Sequence, residues 1–336
     1  MPNLLNKSVI PKGQGEVEKK EMQSIAVIGS GLEEVASSRL DGCLFRSAAF
    51  QKDPRLAGLV NTSLAEFNDL PPNLTRLLEV LKDDLADART VAKVVELNPA
   101  LAAKVLKLVN SSFSGLRGTV SNLKRAVVLL GINHIRSLLL GTSVFMRPRT
   151  HQLPPNLPLG DLWRHSVAVS QIAGAIGDTL GNIDSATLIS GGLLHDTGML
   201  VLASIHPDKF AECVTTAISE GQDLVELELY SIGITHPLLS ATLGKMWNLP
   251  QRLTDLMMYQ SHPDRATDKR MITVLRLAEF TARGYNMGAD GCRSNQSILN
   301  EAVAVLGVPP ERASRLIDNT QMDEVIKNIH ILSTWE

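Results

Sequence analysis

Gly191-Gly-Leu-Leu-His-Asp-Thr-Gly-Met-Leu200 places a histidine and an aspartate side by side at the end of an apolar helix. A neighbouring imidazole and carboxylate can flank a single divalent transition metal. His-Asp pairs are common by chance, but His165, His236 and His262 accompany this one in the same half of the chain. We therefore expect any metal binding or catalysis to lie in the second half of the chain.

Apolar residues recur at helical spacing on both sides of this pair. Helices are predicted at Ser185–Leu194, Asp208–Glu220, Pro237–Trp247, Pro250–Gln260 and Lys269–Arg283. Ser121 and Asp161 are the predicted N-caps of two further helices. No alternating pattern is long enough to indicate a sheet. The predicted fold class is therefore all-α.

Composition divides the chain into four segments. Residues 1–60 mix Lys, Glu, Gly and Pro with little periodicity, so we expect them to be variable and partly disordered. Amphipathic helices fill residues 61–147, and the prolines that follow predict a linker. We expect a second helical part over residues 158–284 and a C-terminal helical extension over residues 285–336.

The overall composition excludes several classes of protein. With 33 cationic and 35 anionic side chains, the formal net charge is −2, so no strong field points to nucleic acid or to a membrane surface. Three scattered cysteines, Cys43, Cys213 and Cys292, fit neither a disulfide scaffold nor a CxxC metal site. No apolar run approaches the roughly 20 residues of a membrane span, and the N-terminus lacks a signal-peptide block. We expect a soluble, cytoplasmic protein without membrane contact.

Charge is nevertheless distributed unevenly along the chain. Residues 97–160 contain no acid, whereas Glu66–Glu96 carries seven acids against four cations. The candidate basic surface consists of Lys104, Lys107, Arg117, Lys124 and Arg125. These cations either balance the acids of neighbouring helices or bind a phosphate-bearing ligand or an acidic partner. Nucleic-acid binding through residues 104–149 is a further hypothesis, which the scarcity of aromatic side chains disfavours.

Several motifs, taken in order, resemble the HDOD domain, which is the output-domain branch of the HD metal-dependent phosphohydrolase superfamily. In the second half they are His165-Ser-Val-Ala-Val, Gly-Leu-Leu-His195-Asp196-Thr-Gly, Gly-Ile-Thr-His236-Pro-Leu-Leu-Ser-Ala and Trp247-Asn-Leu-Pro250. In the first half they are Leu70-Pro-Pro, Asn98-Pro-Ala-Leu-Ala, Val109-Asn-Ser-Ser-Phe and Val120-Ser-Asn-Leu-Lys-Arg-Ala126. The resemblance spans about Leu64 to Arg283. It implies an all-helical bacterial signalling module, with an N-terminal helical subdomain packed on a degenerate HD-like bundle.

The resemblance also implies a set of metal ligands. Active HD hydrolases hold metal at positions that resemble His165, His195 and Asp196, with a Glu at position 279 where the family has an Asp. The candidate metal-binding residues are His165, His195, Asp196, His236, His262 and Glu279. The expected cofactor is either none, with the histidines forming a hydrogen-bonded polar cluster, or a divalent transition metal such as Fe, Mn, Ni or Zn.

Three departures from the related cyclic-di-GMP phosphodiesterases argue against catalysis. Met199 stands where those enzymes carry a Lys, and a Met can neither pair with phosphate nor stabilise developing charge. Their Gly-Tyr-Pro segment is missing, and their paired histidines are reduced to Ser261-His262. We therefore expect no catalytic residues.

Two functional hypotheses follow from these observations. The first is a non-catalytic regulatory module that binds a signalling protein or a small ligand, with a nucleotide as candidate ligand and a link to cyclic-dinucleotide signalling. The alternative is a metal-dependent phosphohydrolase acting on a nucleotide or cyclic dinucleotide. Neither hypothesis involves a membrane or a nucleic acid, and the sequence does not identify the signal, the partner or the oligomeric state.

Overall fold

The computed structural model describes residues 54–68, 87–96, 99–112, 120–145, 153–292, 297–313, 316 and 319–333. Within these ranges the regular secondary structure is helical and contains no β-strand. This confirms the predicted all-α class.

Five helices form the N-terminal part of the described chain. Their bounds are α1 Pro54–Asn68, α2 Ala88–Val95, α3 Pro99–Ser112, α4 Leu123–Leu130 and α5 Ile132–Phe145. The N-cap of α4 is Asn122 rather than the predicted Ser121, because Asn122 directly precedes the first helical residue and its side chain accepts a hydrogen bond from the backbone N–H of Arg125 at 3.3 Å.

Eight α-helices form the second part, and a short 3-10 turn at Pro263–Arg265 precedes the last of them. Their bounds are α6 Leu159–Leu180, α7 Ser185–Leu194, α8 Thr197–Ile205, α9 Pro207–Glu220, α10 Leu224–Ser231, α11 His236–Met246, α12 Gln251–Tyr259 and α13 Lys269–Gly284. Asp161 is not the N-cap of α6, since the helix begins at Leu159 and Asp161 lies inside its first turn. A carboxylate there still interacts favourably with the helix dipole.

The central helix of this bundle is α6, which packs against α7, α13 and the last helix of the chain. The C-terminal helices are α14 Ser297–Leu306, α15 Pro310–Ala313 and α16 Asn319–Ser333. The carbonyl oxygen of Leu332 on α16 accepts hydrogen bonds from Trp163 Nε1 on α6 (3.0 Å) and from Lys104 Nζ on α3 (3.4 Å). Helix α16 therefore joins the N-terminal part to the bundle, and α1 and α5 pack on the bundle as well.

Two of the expected segment boundaries fall within the described helices or at their ends. The boundary between residues 60 and 61 falls inside α1, whereas the one between residues 284 and 285 coincides with the end of α13. The chain after α13 returns to α6, where the backbone N–H of Ala289 donates to the carbonyl of Asp161 at 3.1 Å. Residues beyond 284 therefore help to build the centre of the bundle.

One continuous part of the described chain, Ser185–Ile205, is long and apolar enough to cross a membrane, with a mean hydropathy of 1.4. It corresponds to α7 and α8, and 89% of its most apolar 18-residue window is buried inside the protein. The pair α4 and α5 passes the same test only if both helices are taken together across a bend of 100°. Burial of α7 and α8 is what the core of a soluble helical protein requires.

Candidate metal centre

Helix α6 and the turn between α7 and α8 bring three of the predicted ligands together. His165 lies on α6, while His195 and Asp196 form the turn at the end of α7. One ligand atom from each of these three residues lies within 4.8 Å of the other two. Their exposed fractions are only 0%, 1% and 2%. The sequence prediction for these three residues therefore corresponds to a real, buried cluster.

The ring of His195 is oriented by the backbone of its own helix. Its Nδ1 lies 2.8 Å from the carbonyl oxygen of Gly192, and because a carbonyl only accepts, Nδ1 must donate. This hydrogen bond orients the ring and directs Nε2 toward the cluster. Nε2 lies 3.0 Å from Oδ2 of Asp196 and 3.8 Å from Oε1 of Glu279.

His236 approaches from the first turn of α11, with its Nε2 3.6 Å from Oδ1 of Asp196. Its Nδ1 and its backbone N–H both donate to the carboxylate of Glu228, at 2.8 and 2.9 Å. Glu228 is completely buried on α10 and was not predicted as a site residue. In the sequence, Glu228 is indicated by its position four residues after Leu224 and three after Val225, which places this acid on the same helix face as two apolar residues.

Close backbone contact between α8 and α11 holds His236 next to Asp196. A Cβ added at Gly198 would lie 2.0 Å from the carbonyl oxygen of His236 and 2.6 Å from the backbone nitrogen of Ser240. The N–H of Gly198 also donates to Oγ of Ser240 at 2.7 Å. Only glycine permits this approach.

A second glycine brings in Asp290, which was also not predicted. Gly288 has φ +85°, and a Cβ there would lie 2.4 Å from the backbone nitrogen of His165. The loop after α13 is thus pressed onto α6, and Oδ2 of Asp290 lies 3.4 Å from Nε2 of His165. The Gly-Ala-Asp-Gly turn at residues 288–291 marks a loop in the sequence, but only the tertiary fold shows where it goes.

Arg283 connects Asp290 to Glu279. Its Nε donates to Oδ2 of Asp290 at 2.9 Å, and its Nη2 contacts the same oxygen and donates to Oε2 of Glu279 at 3.0 Å. The backbone N–H of Cys292 donates to the other oxygen of Asp290 at 3.1 Å. Two of the three guanidinium nitrogens of Arg283 are therefore bound by two buried carboxylates.

Burial and charge set the protonation of the centre. Burial lowers the pKa of His165 to about 4 despite the nearby Asp290, so this imidazole is neutral at pH 7. Burial acts in the same direction on His195, but the carboxylates of Asp196 and Glu279 outweigh it and raise the pKa to about 9. The two partners of Asp290, Arg283 above all, more than offset burial and hold the pKa of its carboxyl well below the usual range.

The unpartnered atoms of the centre fit a metal. Among the described residues, both ring nitrogens of His165 are buried without a hydrogen-bond partner, and the 3.0 Å contact between Nε2 of His195 and Oδ2 of Asp196 lacks the geometry of a hydrogen bond. Buried polar atoms normally have a hydrogen-bond partner. Two imidazole nitrogens and a carboxylate oxygen around one point are a donor set for a divalent transition metal. Glu279 reaches the cluster with Oε1, while its other oxygen is bound by Arg283.

A cleft of about 330 Å³ opens onto this centre. Its floor includes Asp196, His236, Glu279 and Asp290. Its walls include Met199, Gln222, Gln260, Ser261 and Arg276. Met199 is 1% exposed and presents only a thioether next to Asp196, as the sequence indicated.

His262 lies apart from the centre. It is half-buried at the start of the 3-10 turn, and the nearest charges acting on it are those of Arg265 and Asp223. Gln260 contacts the centre instead, since its Nε2 donates to the carbonyl of His195 at 3.1 Å. His262 therefore does not belong to the cluster formed by His165, His195 and Asp196.

The predicted basic surface is only partly assembled. Lys107 on α3 and Lys124 and Arg125 on α4 are exposed, whereas Lys104 is half-buried against α16. Arg117 lies outside the described residues. Lys107 and Lys124 line two neighbouring grooves that share Leu106.

Known structures share this architecture. A candidate phosphohydrolase from Shewanella amazonensis SB2B superposes with a TM-score of 0.61 at 23% identity, covering 82% of this chain and 98% of that one. An HDOD domain protein of unknown function from Geobacter sulfurreducens gives 0.57 at 22%, covering 83% and 96%. A candidate signal transduction protein from Marinobacter aquaeolei VT8 gives 0.60 at 24%, covering 83% and 66%. At these identities the likeness shows the fold alone.

Sequence comparison gives the family. An uncharacterised protein from Treponema pallidum (strain Nichols) is 21% identical over 231 residues, which is 68% of this chain but only 44% of the relative. The chain thus spans less than half the length of that relative. Residues 68–263, from the end of α1 to the 3-10 turn, match the family model of the HDOD domain. Because this match covers more than half of the sequence, the chain belongs to the HDOD domain family.

Proposed function

We propose that this chain is a non-catalytic regulatory module that acts by binding a signalling protein or a small ligand. The observation that carries the proposal is the electrostatics of the cleft. Phosphoryl transfer depends on cations placed to stabilise the charge of the transferring group. Among the described lining residues the only two Lys or Arg side chains are Arg276 and Arg283, and both are already paired.

Each of these guanidinium groups is held by acids or carbonyls of the protein. Arg283 is bound by Asp290 and Glu279. Arg276 donates to the carbonyl of Ser261 at 2.6 Å and lies 3.4 Å from the carboxylate of Glu301. A phosphoryl group entering the cleft would meet the carboxylates on its floor with no unpaired Lys or Arg side chain to offset them. The cleft volume nevertheless lies within the range of small-molecule sites, which supports ligand binding.

A divalent transition metal would be held by His165, His195 and Asp196, with Glu279 and His236 beside them. When bound, such a metal lowers the pKa of a coordinated water and acts as a Lewis acid. The residues of this chain prepare the site in two ways. Gly192 orients the ring of His195, and burial keeps His165 neutral, which is the form of imidazole that binds metal.

We further propose the cytoplasm as the location and a signalling protein as the partner. Cys213 and Cys292, the cysteines that the structure describes, are both free thiols, which suits a reducing compartment.

A thermal-shift screen of the purified chain tests the proposal. Metals, mononucleotides and cyclic dinucleotides are added singly, and each sample is analysed for products by chromatography. A ligand present at 100 times its Kd stabilises a protein by about 2.7 kcal/mol. We expect a raised Tm with unchanged ligand. Metal-dependent product formation, or the absence of any stabilising ligand together with no partner in a pull-down from native cells, would contradict the proposal.

The second candidate function is a metal-dependent phosphohydrolase acting on a nucleotide or cyclic dinucleotide. The unpartnered nitrogen and oxygen atoms of the cluster favour it. Elemental analysis after mild purification discriminates, because a hydrolase of this type needs its metal. A content below about a tenth of an equivalent of Fe, Mn, Ni or Zn per chain, with no increase in bound metal after reconstitution, would exclude the phosphohydrolase. If metal is present, Met199→Lys is expected to raise the rate of hydrolysis.

A further inference from the structure

A two-part groove crosses the N-terminal helices on the face where they meet α16. Its first half runs between α2 and the start of α4, and its second half runs between α3 and α16. Leu106 lines both halves, so they adjoin. The groove is separate from the cleft over the buried centre, with which it shares no lining residue.

The rim of this groove is strongly cationic. Its charged lining residues are the cations Arg89, Lys93, Lys107, Lys124 and Lys327 and the single acid Glu96. All five cations are exposed, and none forms an ion pair with a residue that the structure describes. The charged residues of the lining therefore sum to about four units positive, and the acids Asp87 and Glu324 lie close enough to act on Arg89 and Lys327. Such a surface attracts an anionic partner.

The floor of the groove is aliphatic. Ala92, Leu106 and Leu123 line the first half, and Val120 and Ile331 continue it in the second. No aromatic side chain lines either half among the described residues, so bases have no platform on which to stack. Aliphatic side chains of a polypeptide would bury apolar area there, which a phosphate backbone cannot do. The combination of floor and rim favours a protein segment over a nucleic acid.

We propose that this groove is the docking surface for an acidic amphipathic segment of a partner protein. Aliphatic residues of that segment pack on Leu106 and its neighbours, and flanking Asp and Glu side chains pair with the rim cations. The proposal specifies the partner class of the regulatory module and rests on that function. Helix α16, which forms one wall, also packs along α6, the helix that carries His165.

Selection from a phage-displayed random peptide library on the full chain provides the probe. We expect the enriched peptides to combine acidic and aliphatic residues. The strongest peptide is then labelled, and its Kd is measured by fluorescence anisotropy for the wild type and for single charge reversals. Lys107→Glu and Lys124→Glu should each weaken binding about tenfold, because each replaces an attraction by a repulsion at the rim. Arg125→Glu is the matched control, since it makes the same charge change one residue further along α4, outside the groove lining.

The comparison has clear outcomes. If Arg125→Glu raises the Kd by less than about twofold, the weaker binding of the other two variants results from the groove and not from the change in net charge. Absence of enriched peptides, a lack of acidic residues among them, equal losses in all three variants, or equally tight binding of a labelled single-stranded DNA would each overturn the proposal. Those outcomes would not affect the proposed regulatory function if a ligand still binds at the buried centre without turnover. Hydrolysis of a ligand at that centre would instead overturn the regulatory function and leave the docking result unchanged.

Discussion

Substituting Gly198 by alanine tests how the centre is assembled. An added Cβ would lie 2.0 Å from the carbonyl oxygen of His236, where ordinary contact begins at 3.4 Å, so the two helices must separate by about 1.4 Å. The nearest atoms belong to the backbone and cannot rotate away. Overpacking of this kind costs typically 1–3 kcal/mol, and we expect about 3 kcal/mol here.

The separation should also move His236 away from Asp196 and Glu228. At about 2–4 °C per kcal/mol, the predicted fall in Tm is about 6–12 °C. Metal uptake, measured by elemental analysis after reconstitution, should fall with it. Differential scanning calorimetry and urea unfolding both measure the stability change.

Gly58→Ala is the matched control. Gly58 lies inside α1, and a Cβ there would meet nothing within 4 Å. Alanine is favoured over glycine in a helix by about 0.5–1 kcal/mol, so this variant should be slightly more stable than the wild type. If Gly198→Ala instead left the Tm and the metal content at their wild-type values, the close approach of α8 and α11 would be refuted.

Three further predictions concern separate parts of the centre and the core. Asp290→Asn should reduce the free energy of unfolding by about 3 kcal/mol, since it leaves buried Arg283 with one carboxylate; a loss below about 1 kcal/mol in urea unfolding would contradict this. His195→Ala should abolish metal uptake in elemental analysis whereas His262→Ala should not, and equal losses would place His262 in the centre. Burial lowers the pKa of His134 on α5 to about 4, so below about pH 6.5 the unfolded chain binds a proton that the folded chain does not. Stability should fall by about 1 kcal/mol between pH 6.5 and 5.5, and His134→Gln should remove that part of the pH dependence in urea unfolding; an unchanged slope would count against it.

Capping residues and apolar periodicity in the sequence are sufficient to predict the helices of the bundle. The prediction for α7 is confirmed at both ends, since Asp184 accepts from the backbone N–H of Thr187 and the apolar run ends at the His-Asp pair. The start of α13 is confirmed for the same reason, with Asp268 as N-cap. The prediction of α6 was less accurate at its start, because Pro158 begins the helix without a side-chain cap.

The centre could be predicted only where its residues belong to motifs. His165, His195 and Asp196 were found in this way. Asp290 and Glu228 were missed because their roles depend on tertiary packing, namely the return of the loop after α13 to α6 and the contact of α10 with α11. The spacing of Glu228 from Leu224 and Val225 indicates that it shares their face of the helix, but it does not show that Glu228 contacts His236.

The rate of phosphodiester hydrolysis by metal-loaded protein tests whether this chain is non-catalytic. The chain is reconstituted with Mn²⁺, its metal content is verified, and hydrolysis of bis(p-nitrophenyl) phosphate is followed beside an equal amount of His195→Ala. Because Arg276 and Arg283 are paired and Met199 offers no charge, the two rates are predicted to be indistinguishable. A metal-dependent rate that the wild type shows and His195→Ala lacks would contradict the account and establish a phosphohydrolase.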